Sequence, residues 1–461
     1  MTKKQKETLE NAPTVGMVSL GCAKNLVESE VMLADLALKG FIITGDYADA
    51  DVLIVNTCGF LQVAQEEAAE AIDQLAALKA PNGRCRCLVV AGCWSQIAAD
   101  QILNRWPQVD LVIGVNDRQR LIDSIGCVSE ADEPVVKVSP KVQPMPIEDT
   151  RFRLTPTHWA YLRISEGCSQ GCTFCTIPRI RGRYRSKQPD LVVREARQLV
   201  ASGARELVLI GQETTNYGHD MDLKGGLAAL LGRLDRVPSL DWIRLMYTYP
   251  ANFDDTAIAA MADLEHVVEY VDIPLQHISD RILKRMGRRI DRSATERLLD
   301  KLRSRMPDIA IRTTLIVGFP GETDDDFQQL LDFVRTWQFD AMGAFAFSPE
   351  PGTPAAAMPD QTEHQVKLQR LDALMRAQRS IARRKAKNWI GRRFDAYVEP
   401  PDPSARGDFW PTRHRGQAPE VDPVTLVRRA DLAAVSAGPG DKLRLECTAT
   451  RGYDLVARPV R

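Results

Sequence analysis

The chain has 461 residues, and its 60 Lys and Arg against 61 Asp and Glu leave a net charge of -1. That balance excludes attraction to nucleic acid through bulk positive charge, although a local patch stays open. A content of 44% hydrophobic and 26% charged residues is ordinary for a soluble globular chain of roughly two to four domains. No apolar run is long enough to span a membrane, and the polar start MTKKQKETLENAP has no secretory apolar segment. The expected location is therefore the cytoplasm, where the ten cysteines should be reduced and metal-binding rather than disulfide-bonded.

Residues 14–128 form the first segment. Short apolar runs predict buried strands at 15–20, 52–55, 88–91 and 111–113. Helical patterns cover 25–39, 62–79 and 95–105, the first closed by Gly40. This βαβ rhythm predicts a parallel α/β sheet covered on both faces. Cys22, Cys58 and Cys93 each fall just past a strand's carboxyl end, the edge where open α/β sheets assemble their sites. Their intervals of 36 and 35 residues equal about one βα unit, so neighbouring strands can bring the thiols together. Three convergent thiolates suit an iron–sulfur cluster with one open iron. The competing reading, small apolar fillers at loop corners, weakens when three cysteines stand at equivalent places. Cys85 and Cys87, beside a strand start, are expected to be packing thiols.

A connector rich in Pro, Lys and Val, about 130–156, leads to the second segment, 154–388. Strands are expected at 160–165, 207–211, 243–247, 270–273, 311–317 and 342–347, each followed by a helix. Six parallel strands make a partial barrel, too few for the closed eight-stranded form. The first strand delivers the run Glu166-Gly-Cys-Ser-Gln-Gly-Cys-Thr-Phe-Cys-Thr-Ile-Pro178. Its C-x3-C-x2-C loop offers Cys168, Cys172 and Cys175 to an iron–sulfur cube and leaves the fourth iron without a protein ligand. A structural zinc ion would want four ligands, and no fourth Cys or His lies nearby in sequence.

Later strand ends place Gln212, Glu213 and Thr214, then Gln276 and His277, then Gly318, Gly321 and Glu322 in the same layer. The run Gly318-Phe-Pro-Gly-Glu322 lets backbone approach an adenine or ribose closely. A turn into a helix over 324–337 explains the same residues equally well. A helix over 363–389 follows, and from 363 to 387 it carries eight Lys or Arg against two Asp or Glu, a net of +6. A solvated face is its default explanation, with contact to ribosomal RNA or another polyanion as the alternative. The tail, 391–458, shows β-prone pieces at 394–399, 425–427, 442–447 and 453–457 between Pro, Gly and Asp turns. These predict a small antiparallel β-barrel. Twelve Lys or Arg against ten Asp or Glu from 391 onward fit poorly with a strong phosphate-tracking surface.

The cysteine loop and its flanks resemble the radical S-adenosylmethionine enzymes. The whole domain order resembles the methylthiotransferases: a three-cysteine domain, a radical S-adenosylmethionine barrel and a TRAM barrel. Several stretches are closer to the ribosomal-protein branch than to the tRNA branch. Among them are Ser19-Leu-Gly-Cys-Ala-Lys-Asn-Leu-Val-Glu-Ser-Glu30, Asp272-Ile-Pro-Leu-Gln-His277, Ser348-Pro-Glu-Pro-Gly352 and Ala418-Pro-Glu-Val-Asp422. Ala23-Lys24-Asn25 stands where tRNA enzymes typically show Gln-Met-Asn. The chain departs from the family's usual Pro at Ala23 and usual Asp at Glu213.

The resemblance implies two 4Fe-4S clusters. Cys168, Cys172 and Cys175 would hold the one that cleaves S-adenosylmethionine, and Cys22, Cys58 and Cys93 a second that carries the sulfur to be inserted. Gln212, Glu213, Gln276, Gly318 and Glu322 are the candidate contacts to S-adenosylmethionine. The implied substrate is an aspartate of the twelfth protein of the small ribosomal subunit, methylthiolated at its β-carbon. A low-potential electron donor and a sulfur donor are the implied partners, with ribosomal RNA as a further possible contact. The rival expectations are a tRNA methylthiotransferase acting on an adenosine near the anticodon, and a non-catalytic iron–sulfur protein that binds RNA or ribosomes.

Overall fold

Buried parallel strands govern both halves of the molecule. The computed structural model describes residues 12–79, 83–128, 133–148, 150–401 and 407–460, divided into two units. The polar start before residue 12 and the connector positions 130–132 and 149 lie outside the described residues.

The first unit holds the residues up to Leu154 together with Glu166–Ser169 and Cys175–Lys187. Its strands are β1 (Thr14–Ser19), β2 (Ile42–Ile43), β3 (Val52–Thr57), β4 (Cys87–Gly92), β5 (Leu111–Gly114) and β6 (Val135–Lys137). All pair in parallel, in the order β2-β1-β3-β4-β5-β6. Every residue of β3 and β4 is buried, because helices cover both faces of a parallel sheet. Those helices include α1 (Ala23–Leu38), α2 (Gln62–Ala77), α3 (Cys93–Arg105) and α4 (Leu121–Val128). Leu53, Val55, Leu88 and Val90 pack with Ile72 and Ile102 on one face; Val52, Ile54, Val89 and Leu111 pack with Met32 and Leu36 on the other. Each such side chain, fully buried, contributes about 1.5–3 kcal/mol. Cys85 belongs to the first core and Cys87 to the second, so both are packing thiols. Two edge strands, β2 and β6, were not expected, and β6 occupies part of the stretch read as a connector.

The second unit contains residues 155–165, 170–174 and everything from Gln188 onward. Six parallel strands form its sheet: β7 (Trp159–Arg163), β8 (Glu206–Ile210), β9 (Trp242–Leu245), β10 (Val267–Asp272), β11 (Ala310–Val317) and β12 (Ala341–Ala346). Their spatial order is their chain order, and β7 and β12 are not joined to each other, as in a partial barrel. Leu162, Leu207, Leu209, Ile243, Leu245 and Val271 pack outward on helices such as Pro189–Ala201 and Arg292–Arg305. The alternate residues of the same strands are often polar, including Tyr161, Glu206, Arg244, Asp272 and Arg312.

The basic helix, His364–Lys387, commits much of its charge internally. Lys367 donates to the Phe347 carbonyl at 3.0 Å, Arg370 pairs with Glu322 at 2.9 Å and Asp324 at 2.7 Å, and Lys385 pairs with Asp340 at 2.5 Å. No helix among the described residues is long and apolar enough to cross a membrane.

The tail is a closed barrel of β13 (Arg393–Val398), β14 (Phe409–His414), β15 (Thr425–Arg428), β16 (Lys442–Arg451) and β17 (Asp454–Pro459). It is largely antiparallel, but β15 and β17 run parallel. The sequence pattern predicts four strands there, and the barrel has a fifth, β14. Pro411 and the polar Arg413-His414-Arg415 run look like a turn, yet β14 is paired on both sides.

His414 gives this barrel a pH dependence. Its Nδ1 accepts from the Gly416 N–H at 3.0 Å, and its ring lies 4.3 Å from Trp389 and 5.1 Å from Phe394. Burial, then the charges of Arg244, Arg413 and Arg415, push its pKa down to about 3. An unfolded histidine protonates near pH ~6.5, so below that pH the unfolded chain binds a proton that the folded chain refuses. Stability is therefore lost as pH falls from about 6.5 towards 3, at up to ~1.4 kcal/mol per unit. His414→Phe is expected to flatten this slope in urea unfolding measured at steps between neutral and mildly acidic pH. An unchanged slope would remove His414 as its source.

Candidate functional site

Strand register builds the first group of cysteines. Ser19 pairs with Asn56, and Thr57 pairs with Gly92, so three neighbouring strands end at one level. Cys22 caps the start of α1, Cys58 follows β3, and Cys93 opens α3 directly after β4. The thiols lie near enough for Cys22 to raise the pKa of Cys58, and for both to raise that of Cys93.

Two glycines make the approach possible. A Cβ on Gly21 would lie 2.8 Å from the Cys58 Cβ, and one on Gly92 would lie 2.5 Å from the Thr57 carbonyl. Both glycines have positive φ, a conformation glycine adopts without a Cβ clash.

Charge favours the thiolate at one of the three positions, Cys22. Burial opposes ionisation of Cys22, but Lys24, Arg181 and the N–H groups of Asn25 and Lys24 outweigh it and lower its pKa. Burial pushes the Cys58 thiol up, and pushes Cys93 to about 12 against the pull of Arg181.

Arg181 closes the short helix α5 (Ile177–Arg181) and is 3% exposed. Its Nη2 donates to the Cys93 Sγ at 2.9 Å and to the Asn25 Oδ1 at 2.7 Å, while Nη1 reaches Glu166 at 2.8 Å and also Glu28. Arg118 holds the same two carboxylates at 3.3 and 3.5 Å. The Asn25 Nδ2 donates to the Leu20 and Thr57 carbonyls at 3.1 and 2.9 Å, which turns its Oδ1 towards Arg181.

The C-x3-C-x2-C loop starts from Gly167, where a Cβ would lie 2.2 Å from the Arg183 carbonyl. The Cys168 N–H donates to the Gly182 carbonyl at 3.2 Å. Cys168, Cys172 and Cys175 are all half-buried. In the second unit, Thr173 is tied to the Met286 and Arg285 carbonyls at 3.0 and 2.9 Å. Arg288 points Nη1 at the Cys172 Sγ, 3.8 Å away, and stacks 4.2 Å from the Tyr249 ring.

The remaining sequence candidates occupy the carboxyl edge of the barrel strands. Glu213 is buried and accepts from the Gln170 Nε2 at 2.9 and 3.0 Å and from Asn252. Gln212 is half-buried beside it. Gln276 has a left-handed backbone, φ 73°, and its Oε1 is buried without a partner among the described residues. Glu322 accepts from the Gly318 and Phe319 N–H groups at 2.8 and 3.3 Å, and Lys367 fills the space a Cβ on Gly318 would need. The Gly318–Glu322 run is thus packed from within the unit, as its turn reading requires. Asn25, Arg181, Asn252 and Arg288 had no role in the sequence reading; an arginine in a polar loop gives no local sign that it ends on a sulfur.

The donor sets fit iron–sulfur clusters. Each offers three soft thiols, and a cube with three thiolates carries negative charge that Lys24 and Arg181 would meet at the first set and Arg288 at the second. Among the described residues, no three His, Cys, Asp or Glu side chains stand ready around a single metal ion. A cube does not ask for that, because each thiolate binds a different iron. Gln276 Oε1 and Arg288 Nε, both buried and without partners among the described residues, fit a polar cofactor over the barrel edge.

Partial barrel and cysteine loop together define a radical S-adenosylmethionine enzyme. The radical SAM superfamily profile matches residues 162–334, the uncharacterized protein family UPF0004 profile residues 14–114 and the TRAM domain profile residues 390–460. The chain belongs to the RimO family of ribosomal protein uS12 methylthiotransferases. It is 42% identical to the Symbiobacterium thermophilum member over 96% of this chain and 90% of that one. With the Geobacter sulfurreducens member it shares 41%, over 96% and 97%.

Among solved structures, the radical S-adenosylmethionine methyltransferase TsrM from Kitasatospora setae aligns with TM-score 0.56 and 17% identity, over 75% of this chain and 77% of that one. The cobalamin-dependent radical enzyme OxsB aligns with TM-score 0.51 and 14% identity, over 81% and 57%. At those identities the likeness is one of fold.

Proposed function

We propose that this enzyme adds a methylthio group to the β-carbon of an aspartate in ribosomal protein uS12, using two 4Fe-4S clusters and S-adenosylmethionine. The convergence of Cys22, Cys58 and Cys93 on one sheet edge carries this reading, because a radical S-adenosylmethionine enzyme with a single cluster has no use for a second set of three thiols. Likeness to RimO proteins along nearly the whole chain supports uS12 as the substrate. Cys168, Cys172 and Cys175 would bind one cluster, and Cys22, Cys58 and Cys93 the other. The bound cofactors would supply the radical chemistry that an unactivated C–H bond demands and that no acid, base or nucleophile provides at neutral pH.

The chain's own residues bind and orient. Arg288 holds a positive charge at the Cys172 sulfur, and Gln170 and Asn252 fix the Glu213 carboxylate. Glu213 and Gln276 offer acceptors at the strand ends and would hold the amino group of S-adenosylmethionine. The proposed domains are 14–128, 154–388 and 391–458. A low-potential electron donor, a sulfur donor and a contact with ribosomal RNA complete the proposal.

One anaerobic reaction tests the substrate. Reconstituted enzyme, sulfide, reductant and S-adenosylmethionine are offered uS12 and bulk tRNA together, and both are read by mass spectrometry. A methylthio gain on an aspartate-containing uS12 peptide is expected. A gain on a tRNA nucleoside alone would keep the chemistry and overturn the substrate.

A further inference from the structure

We propose that Arg181 is a positioning residue of the second cluster, setting its reduction potential through the sulfur of Cys93. The inference rests on the reading that Cys22, Cys58 and Cys93 hold that cluster. Arg181 is not merely near Cys93; its two ends are divided between different tasks. Nη1 is anchored by Glu166 at 2.8 Å and by Glu28, and Nη2 is presented to the Cys93 Sγ at 2.9 Å with the Asn25 Oδ1 beside it at 2.7 Å. Arg118 and Arg185 brace the same carboxylates from behind, Arg118 reaching Glu28 at 3.3 Å and Arg185 reaching Glu166 at 3.2 Å. With every partner fixed and the side chain buried, the guanidinium cannot swing away.

Charge on a cluster grows more negative on reduction. A fixed cation donating to a ligand sulfur stabilises the reduced form and raises the potential, and hydrogen bonds to sulfur are among the terms that set it. Arginine suits this duty because it stays protonated at every physiological pH and its planar fork serves two acceptors at once. A purely structural Arg181 would need only its carboxylates. Donation to sulfur is the contact that role leaves unexplained.

The full-length chain with Cys168, Cys172 and Cys175 replaced by alanine isolates the second cluster. It is reconstituted anaerobically with iron and sulfide, and its midpoint is read by redox titration with electron paramagnetic resonance. Arg181→Met in that background is expected to lower the reduced-to-oxidised ratio about tenfold to hundredfold at a given potential, ~60–120 mV at 59 mV per tenfold for one electron. Arg181→Lys, which keeps a charge but cannot serve four acceptors, is expected to shift it less in the same direction. Arg118→Met breaks the same ion cluster without touching sulfur and is expected to leave the midpoint in place.

Unmoved midpoints in both Arg181 variants with iron retained, or an equal shift from Arg118→Met, would overturn the proposal. Iron loss in the Arg181 variants would likewise overturn it, leaving Arg181 a structural support of the site rather than the residue that sets its potential. If the parent triple variant binds no iron, the second-cluster reading fails first and this inference with it.

Discussion

Cys172→Ala is expected to abolish both 5′-deoxyadenosine formation and methylthiolation, whereas Cys58→Ala should remove methylthiolation and leave part of the cleavage. The asymmetry follows from where the two residues sit. Cys172 belongs to the C-x3-C-x2-C loop and faces Arg288 at 3.8 Å; without its thiolate, three irons have only two protein ligands on that loop. Cys58 stands at the end of β3, in the set with Cys22 and Cys93, and its loss leaves the loop intact. Iron per chain should fall by about half in either variant if each set holds one cube. The two readouts then separate. Anaerobic reduced protein is assayed for 5′-deoxyadenosine by chromatography and for modified uS12 by mass spectrometry. A Cys58 variant that still methylthiolates uS12 would remove the second set from the reaction. A Cys172 variant that still cleaves S-adenosylmethionine would remove the loop from its role.

What the sequence disclosed and what it withheld differ in kind. The convergence of Cys22, Cys58 and Cys93 on one sheet edge was legible because their spacing follows the βα period. Buried central strands such as β3 and β4 were legible because burial on both faces favours apolar runs. The edge strands β2 and β6, two and three residues long, are too short to show any period. β14 was hidden by Pro411, since proline in a strand normally argues against one. Arg181 was hidden for another reason. It lies 88 residues from Cys93 in sequence, and only the folded unit lays its α5 against the start of α3. The basic helix shows the reverse: its net charge read as a surface, and the fold turns Lys367 and Arg370 inward.

Glu206→Gln is expected to be the most destabilising single change that keeps side-chain size in the second unit. Glu206 is fully buried on β8 and stands between two arginines, with Oε1 2.6 Å from the Arg244 Nε and Oε2 2.5 Å from the Arg413 Nη1. Arg244 also donates to the Arg415 carbonyl at 2.8 Å, and Arg413 to Glu399 at 3.0 Å and to the Gln417 carbonyl at 3.1 Å. These contacts tie the tail barrel to the strands of the larger one. Taking away the carboxylate charge leaves the buried Arg244 guanidinium without its paired anion and Arg413 with Glu399, and breaking a buried pair from one side costs about 3–5 kcal/mol.

Arg413→Met should cost less than Glu206→Gln, because Glu206 keeps Arg244 while Glu399 keeps His158 at 3.1 Å. The double variant should recover part of the Glu206→Gln loss, since one cation goes with the anion it answered. Urea unfolding followed by tryptophan fluorescence reads this ordering, with Trp242 lying 6.0 Å from the Arg413 guanidinium. Equal losses from both single variants, with no recovery in the double, would show that packing rather than charge balance holds this junction.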